Sequence, residues 1–212
     1  MVPETTQAQL KSVVTFWFGD VAQDRPFDLD SIQMQRWYGK SEDIDAHIRT
    51  SFEDLYQTLR DAAQTDSLAF PTMTDQVAAI IVLDQFPRNM YRETPRMYES
   101  DPLALQQARH LAEHEQFGAL DLFKQKFALM PFMHAEDVDA QDFMVSRFKQ
   151  FPDRCRKEGW PTADFFDKAL EAAVRHQEIV QRFSRFPHRN AILGRVSTQQ
   201  EIEFLTEADS AF

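Results

Sequence analysis

Apolar residues recur at steps of three and four along most of the chain, the spacing that lines one face of an α-helix. The clearest run is Ile44, Ile48, Phe52, Leu55, Leu59 and Ala62. Asp45, Arg49, Glu53 and Arg60 occupy its opposite face, and Ser41 is placed to cap its start. A first helix over 7–18 carries Leu10, Val13, Val14 and Trp17 on one side, with Thr6 as cap and Gly19 at the stop position. A short helix over 30–38 closes at Gly39. Residues 77–83 are apolar on nearly every side, which predicts a central helix. It starts at Thr74 and stops near Phe86, because Pro87 disfavours helical geometry in the residue before it.

The second half repeats these signals. Asp101-Pro102 reads as an N-cap with proline at the first helical position, and Gly118 closes that helix. Helices over 120–130, ended by Pro131, and over 136–150 follow, then a loop over 155–160. Pro161 opens the longest helix, 162–186, on a stripe that includes Phe166, Ala173, Ile179 and Val180. Thr198-Gln-Gln-Glu201 is a capping box that starts a last helix through Leu205. No stretch alternates with period two. The expectation is an all-α chain of about nine helices in stacked antiparallel pairs, with no sheet.

Length and composition narrow this further. The 212 residues can bury one substantial core, so a single domain over 1–212 is expected, with nineteen Phe, three Trp and eight Met filling it. The lone Cys155 excludes an internal disulfide and fits a reducing, cytoplasmic setting. Met1-Val-Pro-Glu-Thr-Thr lacks a basic start and apolar run, so no cleaved signal peptide is expected. The apolar run 77–83 is far short of the ~20 residues that span a bilayer. A formal charge of -11 and a pI near 5.0 disfavour nucleic acid, which needs a basic face.

Against that acidic background one segment stands out. It carries Arg182, Arg185, His188, Arg189 and Arg195, and no acid occurs from Arg182 through Gln200. Such a segment needs an anionic partner, internal or external. Gln85-Phe-Pro-Arg-Asn89 is a shorter copy of Arg185-Phe-Pro-His-Arg-Asn190, with the two prolines one hundred residues apart. Gln150-Phe-Pro-Asp-Arg154 is a weaker third instance. Repeated helix ends of this kind suit a solenoid of helix pairs.

Phe16-Trp-Phe-Gly19, Leu83-Asp-Gln-Phe-Pro-Arg-Asn89, Pro131-Phe-Met-His-Ala-Glu136 and 185–198 together resemble the bacterial domain of unknown function family 924, over about Val13 to Leu205. The resemblance implies an all-helical fold similar to tetratricopeptide repeats and implies no activity. In that family a serine usually follows the histidine of the third motif. Here the position is Ala135, so no hydroxyl stands beside His134.

Two readings of these motifs compete. In one, Arg88, Arg189 and Arg195 bind a small anionic molecule or an acidic peptide end, while Asp84, His134, Glu136, His188 and Asn190 orient it. In the other, Asp84, Glu136 or Asp137 neutralises the arginines in a structural network. An acid–base enzyme using His134, Glu136 and His188, with or without a metal, is an alternative, as is a helical-repeat interaction scaffold. His134, Glu136, His188 and Asp84 match no metal-ligand spacing, and the arginines repel a cation, so no metal and no cofactor are expected. Ser184 and Ser197 lack a nucleophile elbow, and Gly19 and Gly39 fit helix stops rather than a phosphate loop. His110-Leu-Ala-Glu-His114 matches an inverted zincin pattern but reads as a surface helix. Cys155, beside Arg154, Arg156 and Lys157, is a candidate for a lowered thiol pKa, with an ordinary loop cysteine as the default. Nothing in the sequence fixes the oligomeric state.

Overall fold

The computed structural model describes residues 3–65, 68–208 and 210. Residues 1, 2, 66, 67, 209, 211 and 212 lie outside the described residues. Among those described, every regular element is helical, and the chain is all-α. The elements are α1 (Glu4–Phe18), α2 (Ile32–Tyr38), α3 (Glu42–Gln64), α4 (Met73–Asp84), α5 (Phe86–Met90), α6 (Asp101–Ala112), α7 (Leu122–His134), α8 (Val138–Phe148), α9 (Gln150–Glu158), α10 (Ala163–Phe183) and α11 (Gln199–Phe204). Short 3-10 turns occur at Pro95–Tyr98, Phe117–Ala119 and Pro187–Arg189.

Helix α4 is central, as its unbroken apolar run predicts. Val77 through Leu83 are all fully buried, and α1, α3, α6 and α7 pack around them. Helix α10 covers α8 and α9 on the far side. Burying a phenylalanine stabilises by roughly 1.5–3 kcal/mol, and Phe86, Phe123, Phe127, Phe132, Phe148 and Phe166 are all buried in one continuous apolar cluster. A smaller cluster of Ile179, Val180, Phe186 and Phe204 lies under α11.

The aromatic end of α1 fixes α2. Gly19 ends α1 at φ +56°, a conformation that L side chains rarely adopt, and a Cβ there would also have to displace the Gln33 side-chain amide, 2.5 Å away. Trp37 Nε1 then donates to Trp17 O at 3.0 Å, and Arg36 donates to Phe16 O. These bonds satisfy carbonyls left open at the helix end.

The prolines behave differently from expectation. Helix α4 stops at Asp84, close to the expected end near Phe86, but Pro87 then falls in the first turn of a further short helix, α5, where no amide hydrogen is needed. Pro131 lies inside α7, which continues to His134. Past this proline the buried Gln141 amide donates to the carbonyls of Phe132 (3.2 Å), Met133 (2.7 Å) and Ala135 (2.8 Å), tying down the helix end. The expected loop at 155–160 is mostly helix, because Pro152 sits in the first turn of α9 and Gly159 ends it at φ +69°. Cys155 is consequently fully buried, and burial pushes its thiol pKa up rather than down.

Several ends also shift. Thr72, not Thr74, caps α4 by accepting from Asp75 N at 3.1 Å. Helix α6 stops at Ala112 instead of running to Gly118, so exposed His110 and His114 do not share a helix face. Helix α10 ends at Phe183 on Ser184, whose φ is +56°.

Candidate functional site

Four helix ends and two turns meet at the duplicated motifs. The end of α4 supplies Asp84 and Gln85, α5 supplies Arg88, the start of α6 supplies Asp101, and the end of α7 supplies His134. The turn after α7 adds Glu136, and the turn after α10 adds His188, Arg189, Asn190 and Arg195. Ser100 Oγ donates to Leu83 O at 2.6 Å and so joins the end of α4 to the start of α6.

Asp101 is the residue that reorganises the sequence reading. It was expected to cap α6, yet it is the first residue of that helix and makes no side-chain cap. Its carboxylate instead receives both arms of the Arg88 fork at 2.9 Å each, and Arg189 Nη1 at 3.4 Å. One acid thus joins the arginines of both Phe-Pro corners.

A second pair lies beside it. Arg195 holds Glu136 through both arms, at 2.6 and 2.9 Å, and bonds Asn190 Oδ1 at 2.9 Å. Glu136 also accepts from Phe186 N at 2.8 Å. Burial pushes the Glu136 carboxyl up, but Arg195 and the Phe186 amide outweigh it and hold its pKa below the ordinary range. Asn190 Nδ2 reaches Ser197 Oγ at 3.0 Å. Asp137, expected among the neutralising acids, instead caps α8 and pairs with Arg109 at 3.5 Å.

The third element is a carboxylate–histidine pair. His134 Nδ1 lies 2.7 Å from Asp84 Oδ1, and Gln85 Nε2 donates to Asp84 Oδ2 at 2.5 Å. Burial raises the Asp84 pKa, but His134 and Arg88 override it and bring it down to about 2. The His134 pKa is lowered, by burial first and then by Arg88. An ionised Asp84 beside a neutral ring requires the proton on Nδ1, which leaves the Nε2 lone pair unprotonated. Burial also lowers His188 to about 4 and His176 to about 3, with Arg189 adding to both shifts. At neutral pH the three imidazoles are uncharged.

Arg189 differs from its neighbours. It is 7% exposed, and its guanidinium lies between the rings of Phe186 (4.5 Å) and Tyr98 (4.6 Å). Among the described residues its side chain makes one hydrogen bond, the 3.4 Å contact with Asp101, and its buried Nε has no partner. Burial, aided by neighbouring Arg88, lowers its pKa below the ordinary value.

Two cavities adjoin it. One, of about 260 Å³, is lined by Arg88, His134, His176, His188 and Arg189, and by Arg36, Trp37, Tyr38, Lys40, Arg92 and Tyr98 among others. Among the described residues none that lines it carries a carboxylate. The other, of about 390 Å³, is lined by Pro95, Pro102, Leu105, Ala135 and Leu193 and by the carboxylates of Glu99, Asp101, Glu136 and Asp137. Tyr98, His134 and Arg189 belong to both.

Of the residues singled out in the sequence, Arg88, His134, His188 and Arg189 therefore line a cavity. Glu136 lines the second cavity while bound to Arg195, and Asp84, Asn190 and Arg195 stand behind the walls. Sequence reasoning did not single out Asp101, Tyr98, Arg36, Lys40 or Arg92. Among the described residues no group of three His, Cys, Asp or Glu is arranged to hold a metal. No helix of the described residues is long and apolar enough to cross a membrane.

A larger cavity of about 690 Å³ opens between α6 and α8–α9, lined by Arg109, Phe132, Phe143, Arg147 and Phe151 among others, away from the histidine pair.

A family model described as bacterial protein of unknown function (DUF924) matches residues 13–209, a span that holds all four motifs. The solved structure of the protein of unknown function ATU0120 from Agrobacterium tumefaciens is similar, with 30% identity and a TM-score of 0.67. That match covers 96% of this chain and 99% of the other. No curated protein matches the chain.

Proposed function

The chain belongs to the DUF924 family of bacterial proteins of unknown function, and we propose that it binds a small anionic molecule or an acidic peptide end at Arg189. The observation that carries the reading is the unmet hydrogen-bonding capacity of that guanidinium. A guanidinium has five N–H donors, and a buried one left short of acceptors costs free energy that an incoming anion recovers. Among the described residues the Arg189 side chain makes one long bond, and it lies in the walls of two cavities.

Arg88 and Arg195 frame the site in this reading. Each already has both arms of its fork on a carboxylate, so they fix the geometry rather than take the ligand. Asp84 orients His134, whose Nε2 accepts a hydrogen from a ligand hydroxyl or a monoprotonated phosphate. His188 borders the same cavity, while Glu136 and Asn190 hold Arg195 in place. We further take the chain as one cytoplasmic domain of tetratricopeptide-like helix pairs, a reading supported by the apolar cluster running from Leu10 to Ala173 and by the lone cysteine.

A melting-temperature panel with phosphate, sulfate and citrate tests the reading. An anion at about one hundred times its Kd raises the melting temperature by roughly 5–10 °C. The rise disappears in Arg189→Met, which keeps an unbranched side chain between the two rings. A wild-type protein indifferent to every anion sinks the reading.

A second reading, an acid–base enzyme, is favoured by the Asp84–His134 pair. A neutral imidazole held by a buried carboxylate, with its other nitrogen unprotonated, is the arrangement a general base requires. Turnover in an ester and phosphoester panel that His134→Gln abolishes would establish it.

A further inference from the structure

The cavity below Arg189 is bordered by more positive charge than its ion pairs account for. Arg88, Arg92 and Arg189 each face a carboxylate. Arg36 and Lys40 line the same cavity from the C-terminal end of α2, and among the described residues neither has a carboxylate within ion-pair distance. Arg36 lies over the Phe16 ring at 4.2 Å and donates to Phe16 O. In a chain with a formal charge of -11, two cations in one cavity wall with no acid within ion-pair distance are a local excess that a ligand can neutralise.

We propose that the ligand is a small organic molecule with two anionic groups, of the bisphosphate or phosphorylated-carboxylate class. One group binds Arg189, and the second binds Arg36 and Lys40. This rests on the anion-binding reading and specifies its ligand. The two anchors differ in kind. Arg189 is a buried planar fork packed on two rings, whereas Lys40 is an exposed point charge on a flexible stem that tolerates variation in ligand length. Trp37, Tyr38 and Tyr98 wall the space between, where the body of the molecule lies. Linking the two groups makes the second contact intramolecular, so affinity exceeds that of either group alone. Without such a ligand, Arg36 has the lesser role of closing the carbonyl end of α1, and Lys40 is a solvated surface residue.

Calorimetric titration of the full chain with glucose 6-phosphate and glucose 1,6-bisphosphate decides the matter. Two added, partly exposed charge contacts are worth about tenfold in affinity, so the bisphosphate binds about tenfold or more tightly than the monophosphate. Lys40→Met, a surface change that leaves the fold intact, and Arg36→Gln each reduce that advantage, and together they remove it. Equal affinity for the two sugars in the wild type, or a bisphosphate advantage that survives both substitutions, overturns the two-group proposal while the anion site at Arg189 stands. Failure of both sugars and of inorganic phosphate to bind overturns the Arg189 reading itself, and this proposal with it.

Discussion

His134 Nδ1 lies 2.7 Å from Oδ1 of Asp84, a carboxylate with no solvent exposure at the last residue of α4. The pair ties the central helix to the end of α7, and Arg88 stands 3.6 Å from the same oxygen. Asp84→Asn keeps the shape but removes the charge that Arg88 and the ring face. Breaking one member of a buried charged network costs about 3–5 kcal/mol. Chemical denaturation is expected to show a loss of that size, and a loss under 1 kcal/mol contradicts the role assigned to Asp84.

Stability is expected to fall steadily on acidification, for two reasons that act in turn. His188 and His176 titrate in the folded chain at about 4 and about 3, below their ordinary 6.5, with His134 lowered as well. Below pH 6.5 the unfolded chain therefore takes up protons that the folded chain refuses, and stability drops until about pH 4 for His188 and about pH 3 for His176. Asp84 and Glu136 have lowered folded pKa values, so their contribution is full above the ordinary carboxylate range and is lost as pH falls towards 2. Each proton of difference is worth ~1.4 kcal/mol per pH unit. Urea melts from pH 7 to 4 measure the slope, and His188→Gln flattens it by about one proton. An unchanged slope in that variant refutes the burial assigned to His188.

Cys155 should be inert in the native state. It is fully buried in α9, its sulfur lies 3.5 Å from Thr162 Oγ1, and that hydroxyl donates to Gln23 O at 2.8 Å. Labelling by a thiol-specific aromatic disulfide is expected only at the rate of unfolding and in full after denaturation. Complete labelling within seconds under native conditions would show that α9 is misplaced.

Ser184 ends α10 in the left-handed region at φ +56°, where a Cβ is disfavoured. It is exposed, so Ser184→Gly changes little else. The substitution is expected to raise stability by about 0.5–1 kcal/mol, measured by denaturant midpoint at constant m.

The helices were legible because their periods and caps are local. Ser41, Gly19, Gly39 and the Thr198–Glu201 box end elements where expected, and the run 77–83 is the central helix. Pro102 was legible as a helix start, but Pro87 and Pro152 were not, because a proline in a first turn looks the same in sequence as one that stops a helix. Pro87 and Pro152 prove to start short helices, and Pro131 lies inside α7, whose end beyond it is tied down by Gln141 of the next helix. At the site, Arg88, His134, His188 and Arg189 stood out by motif. Asp101 did not, because Asp before Pro carries a local meaning that its tertiary contacts override. Arg36 and Lys40 were hidden for a related reason: only the aromatic packing of α2 against the end of α1 carries them to a cavity formed by residues far along the chain.

The most direct test of the account is a calorimetric titration of inorganic phosphate into the wild-type chain and into Arg189→Met, with the fold of each checked by its melting transition. Saturable binding of one equivalent in the wild type, weakened about 10–100-fold in the variant as a lost charged hydrogen bond requires, is the expected result. Binding of equal strength in both proteins, or none in the wild type, contradicts the claim that Arg189 receives an anion.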